Sequence, residues 1–125
     1  MIKLNTYSSL LDCQIFYVDD CLARGQASST AYNKRNLLEM FIRWCLTEDV
    51  VRIDEITLHV LEGYRQYLYR SRKTNGDSLH LSTQRLRLIT VKNMLKRLHL
   101  FGIVESGFYP AQFPHPCLQP DRLYH

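Results

Sequence analysis

Residues 81–104 read LSTQRLRLITVKNMLKRLHLFGIV, and their spacing decides the fold class. Leu88, Val91, Leu95 and Leu98 recur at intervals of three and four, flanked by Met94, which marks one face of a helix and not the alternation of a strand. The spacing predicts a helix from about Thr83 to Leu100. Its front end is chemically odd. Ser82 and Thr83 can cap free backbone N–H groups, yet Arg85, Arg87 and Lys92 follow with no acid. The positive end of a helix dipole favours Asp and Glu there.

The same inversion occurs upstream at SSTAYNKRN, residues 28–36, where Lys34 and Arg35 precede the first acid, Glu39. That helix runs from about Thr30 to Thr47 and buries Leu37, Leu38, Phe41, Trp44 and Cys45. Asn33, Asn36, Met40 and Arg43 form its opposite face. Between the two lies DEITLHVLEGYRQYLYRSRK, residues 54–73, which obeys the dipole. Asp54 and Glu55 stand at its start with Thr57 as cap, and Arg70, Arg72 and Lys73 at its end. Its apolar stripe is Ile56, Leu58, Leu61, Tyr64 and Leu68, with Val60 beside it. An earlier helix, about Thr6 to Ala23, carries Leu10, Leu11, Ile15, Tyr17, Val18 and Leu22 on one face and ends at Gly25.

Outside the helices, KTNGDS at residues 73–78 is a turn centred on Asn75-Gly76. All four prolines fall after Gly102, so residues 105–125 read as a Pro-rich linker or tail attached to a helical domain over residues 1–104. The expected fold is all-α, a small four-helix orthogonal bundle.

The chain of 125 residues has 46% hydrophobic and 22% charged residues, globular composition for one domain, with a net charge of +4. The excess is unevenly placed. Tyr64 to Val104 holds nine basic residues and a single acid, Asp77, whereas residues 1–62 hold nine acids and six bases. That asymmetry fits an anionic partner. A phosphate near a helix start would meet free N–H groups, the dipole and the basic side chains together. Two such starts on one side of the domain could grip two points of one nucleic-acid backbone. The plainer alternative is that these cations are solvated, at a cost of about 0.3 to 1 kcal/mol each.

Cys13, Cys21, Cys45 and Cys117 make no zinc spacing, and three of them fall on apolar helix faces as buried thiols. His115 and Cys117 are two ligands and no metal site. No metal or other cofactor is expected. No segment has the roughly 20 apolar residues of a membrane span, and the acids among the first twenty residues exclude a signal peptide, so a cytoplasmic location without membrane contact is expected.

Thr30, Arg35, Leu38, Phe41 and Trp44, then ITLHVLEGYRQYL, then the stretch at residues 81–104, occur in an order that resembles the core-binding, SAM-like domain of the tyrosine recombinases. This is the phage integrase and Xer-type family. The resemblance implies one half of a clamp around double-stranded DNA near the strand-exchange site, with the second and fourth helices in the major groove. It also implies a catalytic domain of the same recombinase downstream and other recombinase protomers on the DNA as partners. The chain departs from the family at Lys34, where Tyr is common, and at Gly107-Phe108, in place of an Asn-Pro. The family's catalytic Arg, Lys, His and Tyr motifs are not found, and Tyr124 beside His125 lacks their constellation. The expectation is therefore a noncatalytic DNA-binding module with no catalytic residue of its own. Candidate DNA contacts are Thr30, Lys34, Arg35, Thr83, Gln84, Arg87 and Lys92: Lys34, Arg35 and Lys92 on phosphates, Gln84 and Arg87 on phosphate or a base edge. The competing class is a helical protein-interaction module with a basic surface that includes Tyr64, Tyr67 and Tyr69.

Overall fold

Ser9 opens the first helix. In the computed structural model, which describes residues 3–104, the Ser9 hydroxyl accepts from the Asp12 N–H at 3.1 Å, and α1 runs Leu10–Ala23. The helix starts later than the Thr6 expected, because Asn5 and Ser8 close a local turn. Gly25, at φ 91°, takes the left-handed position just past α1. The chain then turns directly into α2, Ser28–Thr47. A 3₁₀ turn, Ile53–Glu55, precedes α3, Leu58–Arg70, which Thr57 caps by accepting from the Val60 N–H. The last helix, α4, spans Leu81–Leu100. Among the described residues there is no strand, only two isolated bridges, so the fold is an all-α bundle. The Pro-rich residues 105–125, with Gly107-Phe108, His115, Cys117, Tyr124 and His125, lie outside the described residues.

The core forms where α1, α2 and α4 pack on one another and α3 closes the bundle against α4. The seam of α4 is as the spacing predicts: Leu88, Val91, Met94, Leu95 and Leu98 are all buried. On the second helix Leu38, Phe41, Trp44 and Cys45 are buried with Ala31 and Ile42, while Leu37 sits only part-way in. Phe41, Trp44, Tyr64 and Tyr67 make one aromatic cluster, with ring centroids 4.8 Å apart for Phe41–Tyr64 and 5.2 Å for Trp44–Tyr64. The cluster needs a glycine. A Cβ on Gly63 would lie 3.2 Å from the Trp44 ring, so the small residue lets α3 come down onto the indole. On α3, Leu61, Tyr64 and Leu68 are buried, but Leu58 is exposed.

The face of α1 differs from expectation. Leu10 and Tyr17 are buried, but Leu11, Ile15 and Leu22 are exposed, and the inward positions are Cys13, Gln14 and Cys21. The reason is that Gln14 is only 5% exposed and donates from Nε2 to the Arg35 carbonyl at 2.9 Å. That bond satisfies the amide and rotates the buried stripe onto small side chains that let α1 lie close to α2. Burial pushes the Cys13 and Cys45 thiols up to about 12, helped by the charges of Asp12 and Glu48 respectively. Both remain neutral, unreactive packing groups at ordinary pH.

One ion pair fixes how the helices meet. Asp20, on the last turns of α1, accepts from Arg97 on α4 through both oxygens, Nε at 2.7 Å and Nη2 at 3.1 Å. It also accepts from Arg24 Nε at 2.9 Å. The end of α4 is thereby held against the end of α1, and the short α1–α2 turn places the start of α2 at the same corner. Gln26 and Lys34 line one cavity there with Asn93, Lys96, Arg97, His99 and Leu100. The beginnings of α2 and α4 are therefore set apart along the axis of α4. With α4 20 residues long and rising about 1.5 Å per residue, its start is more than about 20 Å along the axis from this corner.

Two consequences are measurable. Trp44→Ala removes an indole that is 9% exposed and stacked among three rings, so urea denaturation should show a loss of about 3 to 5 kcal/mol. An unchanged midpoint would refute the core assigned to α2. The Arg97 hydrogen bonds hold the Asp20 carboxyl below its usual value of 3.8, with Arg24 adding to the shift against the opposing effect of burial. A depressed folded-state pKa gives stability that is present above the unfolded value and lost as pH falls through the folded one. Asp20→Asn should therefore be less stable than wild type at pH 7, and the gap should close below about pH 4. A gap that stays constant down to pH 2 would show that the carboxylate charge contributes nothing.

Candidate nucleic-acid interface

The two inverted helix starts have neither acids nor side-chain caps. The residue before α2 is Ala27 and the one before α4 is His80, and neither accepts a capping hydrogen bond. Ser28, Ser29 and Thr30, expected to cap, are instead exposed in the first turn of α2. Ser82 and Thr83 stand likewise inside the first turn of α4. The backbone at Ala27 and His80 is already extended (ψ 148° and 149°), so the helices begin one to three residues earlier than the Ser/Thr pattern implied.

The candidate contacts fall into two groups and a remainder. Thr30, Lys34 and Arg35 belong to the start of α2. Thr30 and Arg35 are exposed, with the Arg35 guanidinium 5.2 Å over the Tyr32 ring. Lys34 is half-buried: its Nζ donates to Gln26 Oε1 at 2.9 Å and lies 5.9 Å from the Tyr17 ring centroid. At the other group, Thr83 and Arg87 occupy the beginning of α4, both half-buried. Lys92, half-buried, lies between the two along α4.

Gln84 does not face solvent. It is 1% exposed and donates from Nε2 to the Leu79 carbonyl at 3.0 Å. This bond ties the loop before α4 to its first turn, which excludes Gln84 from reading a base edge in this arrangement. Its Oε1, the Tyr64 hydroxyl and Arg87 Nε are buried without a hydrogen-bond partner among the described residues. Burial raises the Tyr64 phenol well above its usual range, and the Arg87 charge pulls the other way, so the guanidinium is near the hydroxyl. Arg87 is thus anchored by its stem in the α3–α4 junction and is not a freely solvated cation.

Charge pairing separates the two halves of the molecule. Arg24, Arg43, Arg52 and Arg65 each have a carboxylate partner on their own or a neighbouring turn. On α4, Arg97 has Asp20, but Arg85, Arg87, Lys92 and Lys96 are in no ion pair among the described residues. The helix contains no acid that could neutralise them. The sequence candidates Lys92 and Arg87 lie on this helix, whereas Lys96 and the corner formed with Arg24 and Arg97 were passed over. Those residues are dispersed in sequence, so no local motif unites them.

No helix of the described residues is long and apolar enough to cross a membrane. No solved structure gives a significant match to the chain. The model of the phage integrase SAM-like domain matches residues 15–112. A tyrosine recombinase, XerC 2 of Ralstonia nicotianae, is 32% identical over 77 residues, which is 62% of this chain and 22% of that protein. The shared stretch is thus a small part of the recombinase's own length. With a four-helix bundle and a match across most of the sequence, the chain belongs to the phage integrase SAM-like domain family.

Proposed function

We propose that this chain is the duplex-DNA-binding module of a site-specific tyrosine recombinase and is noncatalytic by itself. The observation that carries this reading is α4: five basic residues, no acid, and four cations without an ion pair. Charges left unpaired along one helix have an anionic partner outside the chain or none, and membership in an integrase family makes duplex DNA the natural one. Thr30, Lys34, Arg35, Thr83, Arg87 and Lys92 are the contacts, with Lys34, Arg35 and Lys92 on phosphates. Gln84 is left out because its side chain is buried and its Nε2 bonds to the Leu79 carbonyl.

The grip differs from one built on two adjoining helix starts. Successive phosphates of one strand rise only about 3.4 Å, whereas the start of α2 and the start of α4 are more than about 20 Å apart along α4. The two ends would therefore engage separate stretches of backbone, with the exposed row of α4 between them. Phosphate contacts of this kind position a protein without reading sequence.

Titration of a labelled duplex at several salt concentrations tests the reading. The domain should bind weakly, with a dissociation constant on the order of 10⁻⁴ to 10⁻⁶ M at physiological salt. Arg35→Gln and Lys92→Gln should each weaken binding to every sequence alike and lower the salt slope by about one. Absence of binding at low salt, or indifference to both substitutions, would favour the protein-interaction class. Its surface would be Tyr67 and Tyr69 with the basic end of α3, without Tyr64, which is buried.

A further inference from the structure

Where the ends of α1 and α4 meet the start of α2, a cavity of about 490 Å³ is lined by Tyr17, Arg24, Gln26, Lys34, Asn93, Lys96, Arg97, His99 and Leu100. Four basic side chains converge on it, Arg24 from just past α1, Lys34 from α2, and Lys96 and Arg97 from α4, and no acid is among the lining residues. Asp20, behind the wall, offsets one unit of that charge through Arg24 and Arg97. The remaining donors can be counted. Arg97 spends one N–H of Nε and one of Nη2 on Asp20, which leaves three of its five. Arg24 spends one N–H of Nε on Asp20 and one of Nη2 on the Cys21 sulfur, which again leaves three. Lys34 gives one N–H to Gln26 and keeps two, and Lys96 is exposed with all three free.

Three of the four cations, Arg24, Lys34 and Arg97, are held in place. The Arg97 guanidinium lies 5.0 Å over the Phe101 ring and is fixed in plane by its two bonds to Asp20. Lys34 is tethered by Gln26 and covered on one side by Tyr17. His99 is oriented through Nδ1, which donates to the Val104 carbonyl at 2.8 Å. A solvated surface patch spreads its charges apart; here they face a common concavity of the size that small ligands occupy.

We propose that this corner cavity is a phosphate-binding pocket, in which Arg24, Lys34, Lys96 and Arg97 clamp one phosphate group with the Asn93 amide beside them. A multiply charged, many-acceptor oxyanion suits forked guanidinium and ammonium donors arriving from several directions, whereas a carboxylate would use only part of the set. The proposal goes beyond duplex binding. The same chemistry accepts a backbone phosphate or a free phosphoanion, and of these residues only Lys34 belongs to the DNA contacts named above.

The test follows backbone amide signals of the 125-residue chain by NMR as inorganic pyrophosphate is added at constant ionic strength, with chloride as the balancing salt. Shifts should concentrate at Arg24, Gln26, Lys34, Asn93 and Lys96. Lys96→Gln should weaken pyrophosphate about fivefold, the weight of roughly one exposed charge contact. Arg70→Gln, on the last turn of α3 and away from the cavity, should leave it unchanged. A duplex added to the pyrophosphate-loaded protein then distinguishes the sources. Displacement assigns the pocket to a backbone phosphate, simultaneous binding assigns it to a free phosphoanion, and both uphold the pocket. Signals that do not move, or that move equally when chloride replaces pyrophosphate, would overturn the proposal. That failure is independent of the duplex titration, because Arg35→Gln and Lys92→Gln touch neither the cavity nor its donors.

Discussion

The carboxylate of Asp20 decides which ends of the helices meet. It takes a two-pronged hydrogen bond from Arg97, 77 positions away in sequence, and a third bond from Arg24 on its own helix. Apolar packing alone would tolerate α4 sliding or reversing against α1 and α2, since a seam of Leu, Val and Met matches many partners about equally well. A largely buried carboxylate does not. Left without Arg97 it would lose two of its three hydrogen bonds and keep only the exposed Arg24 as partner, so alternative registers of α4 are penalised. The pair thus acts as a specificity device for the bundle, and it also brings the last turns of α4 to the uncapped start of α2.

From that constraint follows the charge distribution that matters for function. In the first half of the chain Asp20, Glu39, Asp54, Glu55 and Glu62 pair with Arg24, Arg43, Arg52 and Arg65 close by in sequence. Only Asp20 reaches α4, where it pairs with Arg97 and with none of the other four cations. A helix with five cations and no acid repels itself, yet it forms here because its inner face buries Leu88, Val91, Met94, Leu95 and Leu98 and its last turn carries Arg97 and His99, where the dipole favours positive charge. Packing energy thereby sustains a cationic row that side-chain electrostatics would disfavour. Such a row is what a polyanion requires, since each phosphate neutralised releases counterions regardless of base sequence.

How much of this was legible in the sequence depends on the kind of information each feature needs. The helices of the second half were readable because their apolar residues are large and regularly spaced. Leu61, Tyr64 and Leu68, then Leu88, Val91, Leu95 and Leu98, are all buried as their spacing requires. The face of α1 was not, because hydrophobic weight points to Leu11, Ile15 and Leu22 while the inward positions are two cysteines and a glutamine. Only the Arg35 carbonyl across the interface makes Gln14 an interior residue. Gln84 is the same case, a polar side chain whose partner, the Leu79 carbonyl, is visible only once the loop is folded. The unpaired cations of α4 were legible as composition. Their convergence with Arg24 and Lys34 was not, since it depends on long-range contact between helix ends.

The corner also shows how stability and binding are coupled in this domain. Arg24, Lys34, Lys96 and Arg97 face one cavity with a single carboxylate behind them, so in the free protein their mutual repulsion opposes the closure of α4 on α2. Salt screens that repulsion over about 8 to 10 Å, which softens it without removing it. An anion seated among the four charges would cancel the repulsion and add hydrogen bonds, and because it binds only the assembled corner it would stabilise the fold by mass action. The same cations that cost the empty domain stability therefore supply the free energy of binding. Asp20 sets the balance: by offsetting one unit of charge it lets the corner close unaided, and by offsetting no more than one it leaves the cavity strongly positive.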